Sequence, residues 1–575
     1  MESKISIFYK KAKKIDLEIM DSISEIQSYN PIYSRFFEMD ETNYNRIALN
    51  HKYQIHDLKT VSFSNFNNGE SLIEKDIFVK FSPLLDPLNY LRGKYDLETP
   101  IFKTLPKLGS TTDTCLSKVL DVNNSSYVDG FFSYLSSMMK DTHNLVHGVE
   151  YYGSALAIQK DFKYDIADDM DFLTKCPFFV NNINKHFTLD EDASIILREY
   201  SGEGSRSNKK KLSIKDLEVE LDLIELSLEP SPLLDQSPSA EDPLAEDTSP
   251  IPSLELEPSL EYESTPKDLS SSESDSSSDS SSDSESDTTE EEDETNWETD
   301  DDEPNDDEPN DDESNEQTEC SSIFEEDEKC FSYLKDFPVQ LIFQEKCKGT
   351  FDELIMMRLL KDDIFIEVLL QIVLILTTYQ KVFDFTHNDL HTNNIMYVET
   401  DEDFLYYKIG GIFYKVPTNG RIFKLIDFGR AIYKFNNKTF CSDSFSSSGD
   451  AATQYNCEPY YNENKPKINP NPSFDLCRLG CSLYDFVCRD DKVETPLQKL
   501  VDSWCNDDSG KSVLYKSSGQ ERYPDFKLYK MIARTVNNLV PVEQLKQSVF
   551  SKYAFEPTDD LLSKIIDIDA LPNYA

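Results

Sequence analysis

The spacing of apolar residues changes period several times along the chain, and each change predicts an element. Alternation over 59–63 and 71–81 predicts strands, parted by Asn65-Phe66-Asn67-Asn68-Gly69, whose residue types suit a hairpin turn. Val128, Phe131, Phe132 and Leu135 recur at helical spacing and predict a helix over 127–139. The stretch from His147 to Gly153 reads as the start of another strand. Residues 339–345 are strand-like, Gly349-Thr350 breaks them, and Phe351-Asp352-Glu353-Leu354 begins a helix. The longest apolar run, 368–376, follows Glu367 and is interrupted by Gln371, well short of the roughly 20 residues a membrane span needs. It predicts a buried helix over 364–380, capped by Asp362 or Asp363. Further on, 404–423 reads as a β-rich excursion around Gly410-Gly411 and Pro417, while 474–485 and 528–540 read as helical. The first 45 residues are mixed and partly helical in pattern.

Composition changes the picture from about Asp161, where periodicity decays, and most of all over 230–328. Serines alternate with acids at 270–286, and Asp-Asp-Glu-Pro-Asn repeats from Asp301 and Asp306, with the variant Asp-Asp-Glu-Ser-Asn from Asp311. Between Ser213 and Cys330, 44 Asp and Glu face three Lys (Lys215, Lys267, Lys329), so this segment holds −41 of the chain's net −51. Like charges at that density repel, and too few apolar groups are present to offset the entropy of folding. Residues 166–330 are therefore expected to be a largely disordered acidic insertion. A basic protein is the partner it would suit, and direct nucleic-acid binding is not expected. Its serines followed by acids also fit an acid-directed kinase, with solvated filler as the plainer reading. Eleven cysteines without a Cys-x-x-Cys pair argue for reduced thiols, and the Lys-rich, mixed start has no secretory pattern. The expected location is cytoplasmic, neither secreted nor membrane-bound.

Candidate chemistry lies between Phe383 and Ala431. His387-Asn388-Asp389-Leu390 is followed by Asn394 and, further on, by Ile426-Asp427-Phe428-Gly429, the base and metal layout of phosphoryl transfer. One carboxylate, Asp389, would accept the proton of the incoming hydroxyl. A second, Asp427, with the amide oxygen of Asn394, would hold Mg2+ against the ATP phosphates. Upstream, Ile77-Phe78-Val79-Lys80-Phe81 sets an amine on a strand, where Lys80 would bind the α and β phosphates, and Asp129 on the predicted helix is the candidate acid to pair with it. Gly69 is the only glycine before Lys80, so a glycine-rich phosphate loop is missing. His387, Asp389 and His391 alternate in a pattern that zinc ligands also show, but with no second cluster nearby. Gly510-Lys511-Ser512 lacks the first glycine of a P-loop, since position 505 is Cys505. Cys477 and Cys481, four apart, are read as core residues of one helix face.

Residues 50–160 and 331–490 resemble the protein-kinase superfamily, and more narrowly the serine/threonine-protein kinases of large cytoplasmic DNA viruses, iridoviruses among them. The resemblance is carried by Thr386 to Met396, by Lys424 to Arg430, and by Phe474 to Asp485, which is similar to a buried helix whose aspartate, here Asp475, supports the catalytic loop. It implies an α+β bilobal fold, with a small β-rich N-lobe and a mainly helical C-lobe. The divisions would be an N-terminal extension (1–50), the first part of the N-lobe (51–165), the insertion (166–330), the last N-lobe strand and hinge (331–348) and the C-lobe (349–575). It also implies ATP and Mg2+, a protein acceptor phosphorylated on Ser or Thr, and a host-cytoplasmic or virion setting. The alternative is a pseudokinase scaffold that binds partners through its acidic insertion; a small-molecule kinase is a third reading, which the 474–485 match argues against. Three departures stand out. Asn388 replaces an arginine that would receive an activation-loop phosphate, His391 replaces a lysine two residues past the base, and 37 residues separate Asp389 from Asp427, with Glu458-Pro459 the only stand-in for an Ala-Pro-Glu motif.

Overall fold

The computed structural model describes residues 4–12, 22–65, 69–200, 329–488 and 493–575, a mixed α+β protein with a β-rich N-terminal region and helices in its C-terminal part. Most of the insertion expected over 166–330 lies outside those residues, as do residues 66–68 of the hairpin turn.

The organising sheet is antiparallel, in the order Ile23–Gln27, Tyr151–Asp165, Phe331–Glu345, Ile77–Pro83, with Phe187–Leu189 added against the start of Phe331–Glu345. Phe331–Glu345 is an inner strand, buried throughout 337–344, which is why Val339 to Phe343 shows little polar alternation. The helix Ser125–His143 lies against this sheet. Asn124 starts it by accepting from Ser126 N, and Asn144, at φ +56°, ends it. Contact is closest at Gly130, where a Cβ would come 2.0 Å from Gln340 Nε2. That packing fixes how deep the helix sits, and so where Asp129 points.

Four expectations change here. The single strand expected over 71–81 is two strands in different sheets, Gly69–Glu74 and Ile77–Pro83. The chain switches sheets at Lys75-Asp76, where Lys75 N donates to Lys59 O and Asp76 O accepts from Lys346 N. Among the described residues of the first 50, the helical part is the short turn Pro31–Arg35, and the stretch is built into the body rather than standing as an extension. Tyr9–Lys11 pairs with Ile47–Leu49, Ile23–Gln27 joins the main sheet, and Ile32, Tyr33 and Phe37 are buried in the common core. Order also continues past 166, through the helix Pro177–Asn182, the strand Phe187–Leu189 and the helix Glu191–Tyr200, because Leu173, Phe179 and Phe187 find burial against the same core. Asp190 closes this stretch onto the next: its N–H donates to Phe331 O, and its Oδ2 accepts from Phe331 N, both at 2.9 Å. Finally, helix does not run through 528–540. Phe526–Thr535 stops there and a new turn starts at Pro541.

In the C-terminal part, a capping box between Thr350 and Glu353 opens the helix Phe351–Met356. The buried helix Asp362–Phe383 follows. Its N-cap position is Lys361, with no side-chain cap, and Asp362 and Asp363 stand in the first turn instead, where carboxylates face the positive end of the helix dipole. The excursion after Asp389 is a hairpin, Phe404–Ile409 with Ile412–Pro417, turning at Gly410 and Gly411, both at positive φ. Asp569 accepts from both glycine N–H groups, at 2.8 and 2.9 Å, and Ile565–Asp567 extends the hairpin as a parallel strand. The helix Phe474–Val487 packs on Pro496–Trp504. Among the described residues no helix is long and apolar enough to cross a membrane, and all ten described cysteines are free.

Candidate active site

The strand Ile77–Pro83, the helix Ser125–His143 and the turn after Arg421–Leu425 bring three charged side chains together. Lys80 Nζ lies 2.7 Å from Asp129 Oδ2 and 2.9 Å from Asp427 Oδ1. The register that sets Lys80 opposite Ile342 holds the amine at this junction. Asp129 is only 1% exposed, and its other oxygen accepts from Phe428 N at 2.9 Å, so the helix grips both the lysine and the Asp427-Phe428 turn. Burial raises the Asp129 carboxyl against the pull of Lys80. At Asp427, though half its side chain is exposed, the surrounding protein pushes the carboxyl up, but Lys80 outweighs it and holds the carboxyl at about 2. Burial would lower the Lys80 amine, and the two carboxylates raise it instead. The shorter Asp129 thus reaches the lysine without a glutamate's extra methylene.

Residues 386–394 form the second half. Thr386 bridges Ile432, and the next two backbone N–H groups, of His387 and Asn388, both donate to Asp475, at 2.9 Å to Oδ2 and Oδ1 respectively. Asp475 is fully buried at the start of its helix, a buried carboxylate with both oxygens satisfied. Asn388 takes φ +64°, a conformation that asparagine tolerates better than most, and its side chain is consumed locally: Nδ2 donates to Arg430 O at 2.9 Å and Oδ1 accepts from Tyr455 OH at 2.8 Å. This bend turns Asp389 outward. His387 Nε2 meets Ile426 O at 2.9 Å, and Phe428 packs on Phe132 and His387, with ring centroids 4.6 and 5.6 Å apart.

Asn394 ends the short turn Thr392–Asn394, itself pinned by Thr392 Oγ1 donating to Asp352 at 2.6 Å. Its Nδ2 donates to Asp389 O at 2.9 Å and to His391 Nε2 at 3.1 Å, which fixes the amide orientation and leaves Oδ1 for another partner. An amide oxygen and a half-exposed carboxylate, Asp427, are hard donors that fit Mg2+ with phosphates and water completing its shell. Among the described residues no group of three or more His, Cys, Asp or Glu comes together as a metal site. His387 and His391 turn to different partners rather than sharing a face with Asp389. Gly510-Lys511-Ser512 is a turn closed on Asp507, whose Oδ1 accepts from Ser509 N and Lys511 N, both at 2.9 Å. Cys477 and Cys481 are buried in their helix.

Sequence reasoning misses two groups of residues. Tyr529, on Phe526–Thr535, donates to Asp389 Oδ1 at 2.9 Å, and Arg430 Nη1 lies 3.6 Å from the same oxygen while its Nε and Nη2 hold Asp450. Beneath the junction of Phe331–Glu345 with the helical part, Lys424 is 1% exposed. It binds Glu345 and, at 3.0 Å, Gly148 O; His147 bridges Phe423 O and Tyr407 OH. The only signal for Lys424 is a lysine set between Phe423 and Leu425 on a strand, and nothing local marks Tyr529.

No family model matches the chain, and no curated protein matches it.

Proposed function

We propose that the chain is an ATP-dependent protein kinase with a bilobal kinase-like fold, directed to Ser or Thr of a protein acceptor. The observation that carries this reading is the convergence, from separate stretches of chain, of Lys80 on Asp129 and Asp427 with Asp389 and Asn394 on the Asp475-clamped loop. Lys80 neutralises the α and β phosphates of ATP. Asp389 accepts the proton of the acceptor hydroxyl as its oxygen bonds to the γ-phosphorus and the bond from that phosphorus to the ADP oxygen breaks. Mg2+, held by Asn394 and Asp427, would neutralise charge on the phosphates. A basic protein is the proposed partner of the acidic insertion, and the proposed setting is cytoplasmic.

A second reading, a pseudokinase scaffold, is favoured by the direct Lys80–Asp427 ion pair and by the donors already seated on Asp389. Incubation with labelled ATP and Mg2+, with histone or casein as acceptor, separates the two. Transfer that Asp389→Asn lowers by about 10²–10⁴ supports the kinase. Nucleotide binding without transfer supports the scaffold.

A further inference from the structure

Asp389 stands without a lysine two residues on, and His391 does not act as a substitute, because its Nε2 is spent accepting from Asn394 Nδ2. The cations beside Asp389 come from elsewhere in the chain. Arg478, on Phe474–Val487, donates its Nε–H to Tyr529 OH at 2.9 Å, and Tyr529 donates its O–H to Asp389 Oδ1 at 2.9 Å. The Tyr529 ring is held from several sides. The guanidinium carbons of Arg478 and Arg430 lie 5.2 and 5.8 Å from its centroid, and Phe526 stacks on it at 5.4 Å. Phe474, next to the loop clamp Asp475, lies 5.9 Å away. All the donors fall on Oδ1; no hydrogen bond among the described residues reaches Asp389 Oδ2.

Resting on the kinase reading, we propose that Tyr529, braced by Arg478, is the positioning residue of this site: it fixes the Asp389 carboxylate through Oδ1 and turns Oδ2 toward the acceptor hydroxyl. With Arg430 the relay supplies the positive field that the absent lysine would give. The acceptor proton passes to Oδ2, and Tyr529 keeps its own proton throughout. Such a relay acts on the chemical step and not on nucleotide binding, which occurs at Lys80 and Asp427.

The test is steady-state transfer from ATP to histone or casein by the full chain, alongside nucleotide affinity and melting temperature. Tyr529→Phe deletes one hydrogen bond to a charged group, so kcat should fall by about tenfold to a hundredfold, with KM for ATP and nucleotide affinity unchanged. Arg478→Lys should retain more turnover than Arg478→Met, and Arg478→Met should add little to Tyr529→Phe because it acts through the phenol. Tyr515→Phe, remote from Asp389, is the control and should turn over as wild type does. An unchanged or raised kcat in Tyr529→Phe, with Asp389→Asn inactive, overturns the relay and leaves the kinase reading standing. Equal transfer, or none, by wild type and Asp389→Asn removes both.

Discussion

Replacing Asp475 by asparagine changes one oxygen to an amide nitrogen and should unfasten the loop over 386–394. In the native arrangement Oδ1 and Oδ2 each accept a backbone N–H at 2.9 Å, from Asn388 and His387, in full burial. An asparagine side chain has a single acceptor, so however it turns, one of those N–H groups faces an NH2. The loss is one charge-assisted hydrogen bond plus a buried donor left without a partner. Each is worth about 1–3 kcal/mol, and the two overlap. Burial already raises the Asp475 carboxyl, more than His387 lowers it, so the neutral side chain recovers part of that loss. The net expectation is about 2–3 kcal/mol, or roughly 30- to 150-fold in a local opening equilibrium. Hydrogen exchange read at the amides of His387 and Asn388 measures it directly. Protection there should fall by that factor, and turnover should fall with it, while amides of the strand Tyr151–Asp165 exchange as before. Unchanged protection at both amides would refute the clamp.

Three more expectations follow from the same geometry. Lys80→Met leaves Asp129 buried without its cation and should lower stability by about 3 kcal/mol in thermal unfolding, the low end for a broken buried pair because the lysine is partly open to water, while weakening nucleotide binding. Because the Asn388 side chain is spent on Arg430 O and Tyr455 OH, and Arg430 already grips the Asp450 carboxylate, transfer should survive phosphatase treatment and Thr453→Ala; loss in both would sink the idea. Glu150, raised by burial but more strongly lowered by Lys140 at 3.0 Å and Lys75 at 2.9 Å, sits at about 2 against an ordinary 4.5. A depressed carboxyl stabilises the fold above about pH 4.5, and the gain is lost as pH falls toward 2. The urea midpoint of wild type should therefore exceed that of a Lys75→Met, Lys140→Met double variant at neutral pH and converge on it near pH 2. A gap that persists at pH 2 would assign the effect to packing.

The positions of Lys80, Asp389, Asn394 and Asp427 are legible in the sequence because each sits in a short run whose neighbours dictate a strand or a turn, while Asp475 enters through the resemblance of 474–485 to a buried helix. Asp129 is legible for the same reason, its helix being marked by Phe131, Phe132 and Leu135. The Tyr529–Arg478 relay is not legible, since Tyr529 stands 140 residues from Asp389 and meets it only after the strands and helices between them fold. The capping role expected of Asp362 or Asp363 fails because either residue type serves the first turn as well as the cap, and pattern alone does not separate the two positions. The first 50 residues mislead for a related reason: Ile23–Gln27 is a short edge strand, and its partner Tyr151–Asp165 lies far along the chain. Decay of periodicity after Asp161 likewise hides the small elements up to Tyr200, whose burial depends on Phe179 and Phe187 reaching a core built elsewhere.

The clasp between Asp190 and Phe331 has a consequence for how this chain can change over time. Because the two residues exchange hydrogen bonds, the chain leaves and re-enters the body close to one point, and the helix Glu191–Tyr200 just beyond Asp190 still belongs to that body through the buried Ala193. Closing a flexible loop costs entropy that grows only with the logarithm of its length, about 0.6 kcal/mol for each doubling. By that scaling, a change in the number of residues between Asp190 and Phe331, such as slippage of the Asp-Asp-Glu-Pro-Asn repeat, alters the entropy of closure at the clasp by less than one such step. The clasp itself therefore sets little limit on the length of sequence that joins Asp190 to Phe331.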